Sequence, residues 1–362
     1  MVSLDRIMIR GFKSIHELDL ELRSMNVLIG INGSGKSNFI SIFSLLNQIV
    51  EKNLQNYVGI SGGADSLLYF GRKTTEEIYV KLNFGKNAYE VTLNPTVKDT
   101  LIFKDETCYF KYDDHIKKNP YPVRLGSGHE ETQLYEEART HPGKIAQYVL
   151  NDLKSWKVFH FHDTSESAKI KQTGDIGDNE RLRPDASNLA AFLYMLQQTH
   201  LDYYEKIVST IRLAAPFFDD FFLRPSPLNK SKILLEWREK GSDKYFNANT
   251  LSDGTLRFMC LATLLLQPKP PSLIIIDEPE LGLHPYAIRL LGELLHRCST
   301  QSQLIIATQS VTIVDLFAAD DLIVVERREK QSILRRVDAR TIKEWLEDYS
   351  MGELWEKNVL NR

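Results

Sequence analysis

A chain of 362 residues, 43% apolar and 26% charged, can bury a sizeable core, and its net charge of -3 and pI near 6.3 give it no global attraction for nucleic acid. Its three cysteines, Cys108, Cys260 and Cys298, lie too far apart for a zinc site or a disulfide framework and suit a reducing compartment. No apolar run is long enough to cross a membrane, and charge appears by position 6 where a secretion signal would be apolar, so a cytoplasmic protein is expected.

Asn26-Val27-Leu28-Ile29 is short, apolar and partly branched, as a buried strand would be, and Phe39 through Leu46 reads as a helix. Between them Gly30-Ile31-Asn32-Gly33-Ser34-Gly35-Lys36-Ser37 fits the phosphate-loop pattern G-x-x-x-x-G-K-[ST], in the strand–loop–helix setting that the pattern requires. Glycines at 30, 33 and 35 free the backbone, so that successive N–H groups from Gly33 through Gly35 and the positive end of the helix can converge on a triphosphate. Lys36 is expected at the β/γ-phosphates and the Ser37 hydroxyl on Mg²⁺, which makes ATP and Mg²⁺ the expected cofactors.

The next stretch is rich in strands. Segments 78–84, 89–93 and 101–103 alternate or nearly alternate in polarity, with turns at 85–87 and 94–95. Polar residues from about 113 to 132 suggest a loop, and helices are expected at about 134–155, 187–198 and 201–214. Trp156 through Asp163 reads as a strand whose His160 and His162 share a face, so a metal site is conceivable beside a capping role. Arg181-Leu182-Arg183-Pro184-Asp185 suits either a phosphate contact or a solvated loop. Residues 233–237 and 244–246 suggest a hairpin around Lys240-Gly241-Ser242-Asp243.

Leu251-Ser252-Asp253-Gly254-Thr255-Leu256-Arg257 opens an apolar helix running to Leu266, so the Ser252 hydroxyl, the Gly254 N–H and the helix dipole point toward an anion. Leu273 through Ile276 is an apolar strand ending in Asp277 and Glu278. With a phosphate loop as partner, Asp277 is expected to hold Mg²⁺ and Glu278 to orient or deprotonate the attacking water. A further strand at 304–308 leads to Gln309. Arg327, Arg328, Lys330, Arg335 and Arg336 decorate an expected hairpin, with Arg340 and Lys343 beyond it, but the interleaved acids favour a solvated face over a phosphate track. A last helix is expected from Thr341 to about Tyr349, with Ile342, Trp345 and Leu346 as its apolar stripe.

Two anion-facing helix starts in one chain, with the "LSDGT" pentapeptide about 25 residues before the acid-tipped strand, resemble the ABC-type ATPase superfamily. The "GFKS" turn at residues 11–14, the "NGSGKSN" run at 32–38 and "EPELGLHP" at 278–285 narrow the resemblance to the SMC, RecF and OLD-like branch. It implies an α/β fold: a P-loop ATPase head with an antiparallel β subdomain and an inserted helical lobe. It also implies that Lys13, Asn32 and Asn38 contact nucleotide and that Ser252 and Gly254 dock on the γ-phosphate held by a second copy. His162 or Asp163 is then expected near Mg²⁺ or the attacking water. Where the superfamily usually carries a switch histidine this chain has Gln309, which can donate a hydrogen bond but cannot become cationic or shuttle a proton, so slow turnover is expected.

The motifs span most of the chain, which implies one head split by an insertion: 1–163 and 246–362 as its two parts, with 164–245 as the lobe. Two functions remain open. One is an ATPase whose hydrolysis times the assembly or release of a nucleic-acid-linked or anti-phage defence complex. The other is an ATP-gated dimer that clamps DNA, or sequesters an effector, and barely hydrolyses. A transporter motor is disfavoured by the "GFKS" opening. The stretch after Gln309 is too short for the Toprim nuclease domain of OLD-type proteins, so any nuclease or toxin is expected in a separate chain, beside a homodimer or higher homo-oligomer of this one.

Overall fold

Trp156 packs its indole on Phe43 of the helix Lys36–Val50 and on Phe84 of a neighbouring sheet, and so marks where three layers meet. The computed structural model describes residues 3–111 and 120–361. Among them, one six-stranded sheet runs in the order Gln331–Arg336, Leu322–Arg328, Met25–Ile29, Gln303–Thr308, Leu273–Asp277, Trp156–Phe159. Every pairing in it is parallel except that of the first two strands. Such strands have no polar face because both sides are covered. Ile274, Ile276, Leu304 and Ile306 enter one core, while Leu273, Ile275, Ile305 and Ala307 enter another.

The second core also holds the buried face of Lys36–Val50 and of an antiparallel sheet, ordered Ile15–Glu21, Leu4–Phe12, Ile78–Phe84, Asn87–Pro95, Leu101–Phe110, Tyr121–Gly126. The two sheets are stitched by Gln303. Its Oε1 accepts the Leu4 N–H at 2.8 Å, and its Nε2 donates to the carbonyls of Leu4 and Arg23, each at 2.9 Å. Removing this amide strands two buried backbone groups of Leu4 and the partly buried carbonyl of Arg23. Gln303→Ala is expected to lower unfolding free energy by about 2–4 kcal/mol, read by chemical denaturation, with little change in the slope of the transition.

The helices of residues 164–245 share the core of the parallel sheet. Helices Leu189–Thr199 and Leu201–Ala214 bury Phe192, Leu196, Ile207 and Ile211 in the cluster that contains Ile274 and Ile306.

Several boundaries differ from expectation. Pro142 and Gly143, the latter at φ 74°, split the helix expected at 134–155 into Leu134–Thr140 and Ile145–Ser155. Of the loop expected at 113–132, residues up to 119 lie outside the described part, and Tyr121–Gly126 is an edge strand. Glu236–Glu239 does pair with Tyr245–Asn247, but Lys232–Ile233 leaves to pair with Gly174–Asp175. No long helix covers 341–349. A single 3₁₀ turn at Trp345–Glu347 leaves Trp345 and Leu346 exposed, and Ser350 with Glu353 forms a capping box that starts a helix at Met351–Glu356 instead.

Candidate nucleotide site

Register brings the motifs together. Asp277 lies level with Ala307, Thr308 with Ile29, and Ile276 with Phe159, so four chain segments leave the same carboxyl edge of the parallel strands. That edge is where open α/β sheets bind ligands. The phosphate loop follows Ile29, Glu278 follows Asp277, Gln309 follows Thr308, and His160 follows Phe159.

Gly33 and Gly35 take φ of 77° and 114°, a region costly for residues with a Cβ. Lys36 is buried and its Nζ donates to the carbonyls of Gly30 at 2.6 Å and Ile31 at 3.3 Å. Burial lowers its pKa, while Asp277, Glu278 and Glu280 pull it back up. The Ser37 hydroxyl donates to Asp277 Oδ2 at 3.2 Å, joining the two candidate Mg²⁺ ligands across 240 positions of sequence. Asn32 is exposed at the loop tip, whereas Ser34 is buried. The Asn38 amide donates to Ser14 Oγ at 2.7 Å, so this side chain braces the loop.

Glu278 holds φ at 45°, a left-handed conformation unfavourable for a glutamate, and its N–H donates to the Ala307 carbonyl at 2.8 Å. Strain of this kind collects at working sites. Its Oε1 accepts the Gln309 side-chain amide at 2.9 Å. Glu280, two residues on, is buried and accepts the Thr308 hydroxyl; burial pushes its pKa up. The sequence showed Glu280 only as part of the run at 278–285 and gave it no role of its own, although an acid beside a proline just past the acid-tipped strand was visible.

Beside His162 and Asp163, the structure brings forward His160, whose ring centroid lies 6.3 Å from that of His162. Pairing with the acid-tipped strand stops at Phe159, because the His160 N–H turns to the Pro184 carbonyl at 2.9 Å. Asp277 favours the cationic form of His160 against the larger effect of desolvation, and its pKa is lowered on balance. The Asp163 carboxylate is held by Ser165, through the N–H at 3.2 Å and the hydroxyl at 2.7 Å, and these bonds lower its pKa. The His162 carbonyl accepts from Arg257 Nη2 at 2.9 Å. Arg257, also without an assigned role in the sequence, donates further to Phe161 O at 3.1 Å and Leu281 O at 3.0 Å, so one guanidinium joins the loop after Phe159 to the segment after Glu278. Its signal was a lone cation in an apolar helix. Among the described residues no cluster of three or more His, Cys, Asp or Glu has metal-holding geometry.

Ser252 caps the helix Asp253–Leu266, its hydroxyl accepting the Thr255 N–H at 3.2 Å. Gly254 packs so closely on the Gly282 carbonyl that a Cβ there would collide with it. Lys13, at φ 49°, has its pKa lowered by burial and lines a hollow of about 450 Å³ with Asn38, Phe70, Arg327 and Lys330. The remaining C-terminal cations are largely engaged within the fold: Arg328 on Glu326, Arg340 on Asp338, and Arg336 on Asn26 and the carbonyls of Glu21 and Asp320. In the loop at 181–185, Arg183 pairs with Asp178. The three cysteines are buried and unpaired with one another.

Residues 25–315 match the AAA_21 family, described as "AAA domain, putative AbiEii toxin, Type IV TA system". The chain belongs to this AAA family. A relative from Methanosarcina acetivorans, described as "Putative ABC transporter ATP-binding protein", is 30% identical over 143 residues, which is 37% of this chain and 48% of that protein, about half its length. Among solved structures, the SMC head domain of Pyrococcus furiosus with an extended coiled coil, bound to the C-terminal domain of ScpA, aligns with a TM-score of 0.58 at 14% identity over 96% of this AAA protein and 99% of the other chain. The SMC head domain of Thermotoga maritima aligns at 0.50 and 17%, over 92% and 99%. The α/β P-loop head fold expected from the motifs of this AAA protein is thus the one it shares with these SMC head domains. Among the described residues no helix is long and apolar enough to cross a membrane.

Proposed function

We propose that the protein binds ATP with Mg²⁺ at the carboxyl edge of the parallel sheet, dimerises on it, and uses slow hydrolysis to time the assembly or release of a nucleic-acid-linked or defence complex whose effector is a separate nuclease or toxin. The observation that carries this is the side-by-side pairing of Ser37 with Asp277 and of Gln309 with Glu278 at one sheet edge. The donor set is all oxygen, as Mg²⁺ requires, and Ser37 and Asp277 would hold the ion, which would neutralise charge on the phosphates. Lys36 exchanges its carbonyl partners for phosphate oxygens. Glu278 takes up a proton from water, and the Gln309 amide keeps the carboxylate aimed. Lys13 and the hollow beside the phosphate loop receive the nucleoside end, with Asn32 at the loop tip. Gly33, Ser34 and Gly35 supply N–H groups, and Ser252 and Gly254 complete the site of a second copy. His162 or Asp163 lies near Mg²⁺ or the attacking water, with His160 at the strand end as a further candidate. The toxin–antitoxin wording of the family description supports a defence setting, and the cytoplasm is the compartment that fits.

The second reading, an ATP-gated DNA clamp or sequestering scaffold with very little hydrolysis, draws on Gln309, an amide where a cation could form. Single-turnover phosphate release with Mg²⁺, beside the lifetime of the ATP-bound dimer, tests both. Gln309→His is expected to raise the rate on the order of tenfold and shorten the dimer's life with ATP affinity nearly unchanged, because an imidazolium adds charge to the transition state. Gln309→Ala loses the bond to Glu278 and should be slower than the parent. If both variants behave as the parent does, residue 309 is no nucleotide sensor and the clamp reading loses its support.

A further inference from the structure

Ser332 stands 298 positions from the phosphate loop, on the strand Gln331–Arg336, and only 1% of it is exposed. Its Oγ lies 2.7 Å from the Ser34 carbonyl and 2.7 Å from Ser14 Oγ; Asn38 Nδ2 lies 2.7 Å from Ser14 Oγ. A serine hydroxyl has one proton to give. The Ser34 carbonyl can only accept, so the Ser332 proton goes there. The Ser14 proton then goes to Ser332, and the Asn38 amide donates to Ser14. The result is a one-way chain of donors from the first turn of the helix Lys36–Val50 back to the loop that precedes it. The Ser332 N–H, donating to the Ser14 carbonyl at 2.7 Å, pins the serine from behind.

The consequence lies in the peptide plane. A trans peptide points its C=O and the following N–H in opposite directions. Holding the Ser34 carbonyl on the hairpin turns the Gly35 N–H away from it, the orientation a phosphate cradle needs. Gly35 is also the residue against which Ser332 packs, since a Cβ at 35 would collide with its hydroxyl. The glycine is thus required twice, for its φ and for this approach.

We propose that Ser332 is a positioning residue that presets the Ser34–Gly35 peptide for phosphate binding, acting through the Asn38–Ser14–Ser332 chain. The inference rests on the ATP-site reading above. Equilibrium binding of ATP and of ADP, each with Mg²⁺, is measured on the full chain for the parent, Ser332→Ala, Ser14→Ala, the double variant and Lys36→Ala. Ser332→Ala is expected to weaken both nucleotides about tenfold, while the single-turnover rate at saturating ATP stays within about twofold. Ser14→Ala should cost about threefold, and the double variant should bind no worse than Ser332→Ala, because one chain is broken in either case. A serine that merely packs would lower the melting temperature without nucleotide and leave affinity alone, and that result overturns the proposal. Should Ser332→Ala fail to fold, Ser332→Cys, close in size with a weak donor, replaces it; parental affinity there also overturns it. Weakened binding in Lys36→Ala with parental affinity in a folded Ser332→Ala removes this inference alone, whereas a parent that binds no nucleotide removes the ATP reading as well.

Discussion

Glu278→Gln is expected to keep ATP binding within about threefold of the parent and to cut phosphate release by about a hundredfold to ten-thousandfold, the range a general base contributes. The amide is isosteric with the carboxylate and can still meet Gln309, whose side-chain nitrogen lies 2.9 Å from Glu278 Oε1, but it cannot take a proton from water. Lys36→Ala should do the reverse and weaken ATP by about ten- to a hundredfold, since a charge-assisted contact to phosphate is removed. Burial lowers the pKa of the Lys36 ammonium, and the charges of Asp277, Glu278 and Glu280 raise it in part. Equilibrium binding and phosphate release measured on both variants separate the two roles. Full hydrolysis by the glutamine variant would sink the assignment of Glu278.

In the Glu278→Gln background, ATP is expected to drive association of two heads, and Ser252→Arg is expected to abolish it. The Ser252 hydroxyl caps a 14-residue helix and lies on the exposed side of its loop, where a phosphate held by a second copy could meet hydroxyl, backbone N–H and helix dipole together. An arginine there fills that space with a long side chain. Sedimentation at several protein concentrations, with and without ATP, decides the matter. Association indifferent to both ATP and the arginine would mean that the loop serves another purpose.

How much of the molecule was legible in the sequence depends on how local each signal is. The phosphate loop, the apolar strand tipped by Asp277 and the helix after Ser252 are each fixed by a dozen neighbouring residues, and all three fall where their patterns put them. Ser332 was invisible, because its partners are Ser14 and Ser34, and nothing near residue 332 marks it. That the strand ends at Phe159, directly before His160, could not be read from the sequence, because the end of a parallel strand is set by its neighbour's register and by the Pro184 carbonyl. The final helix was shifted because an apolar spacing at 342, 345 and 346 was weighed above a capping box one turn later.

The place of Met25–Ile29 in its sheet also bears on how the chain is made. Its neighbours on either side are Gln303–Thr308 and Leu322–Arg328, so the strand that leads into the phosphate loop emerges from the ribosome long before anything exists for it to pair with. Pairings so distant in sequence close slowly, and an unpaired apolar strand is prone to aggregate while it waits. The antiparallel strands from Leu4 to Phe110 can form among themselves as they are synthesised, and they give Lys36–Val50 a surface to lie on in the meantime. Nucleotide can therefore act only once synthesis has passed Leu322–Arg328, and a product cut short before Gln303, however well the strands from Leu4 to Phe110 fold, would carry the motif without the site.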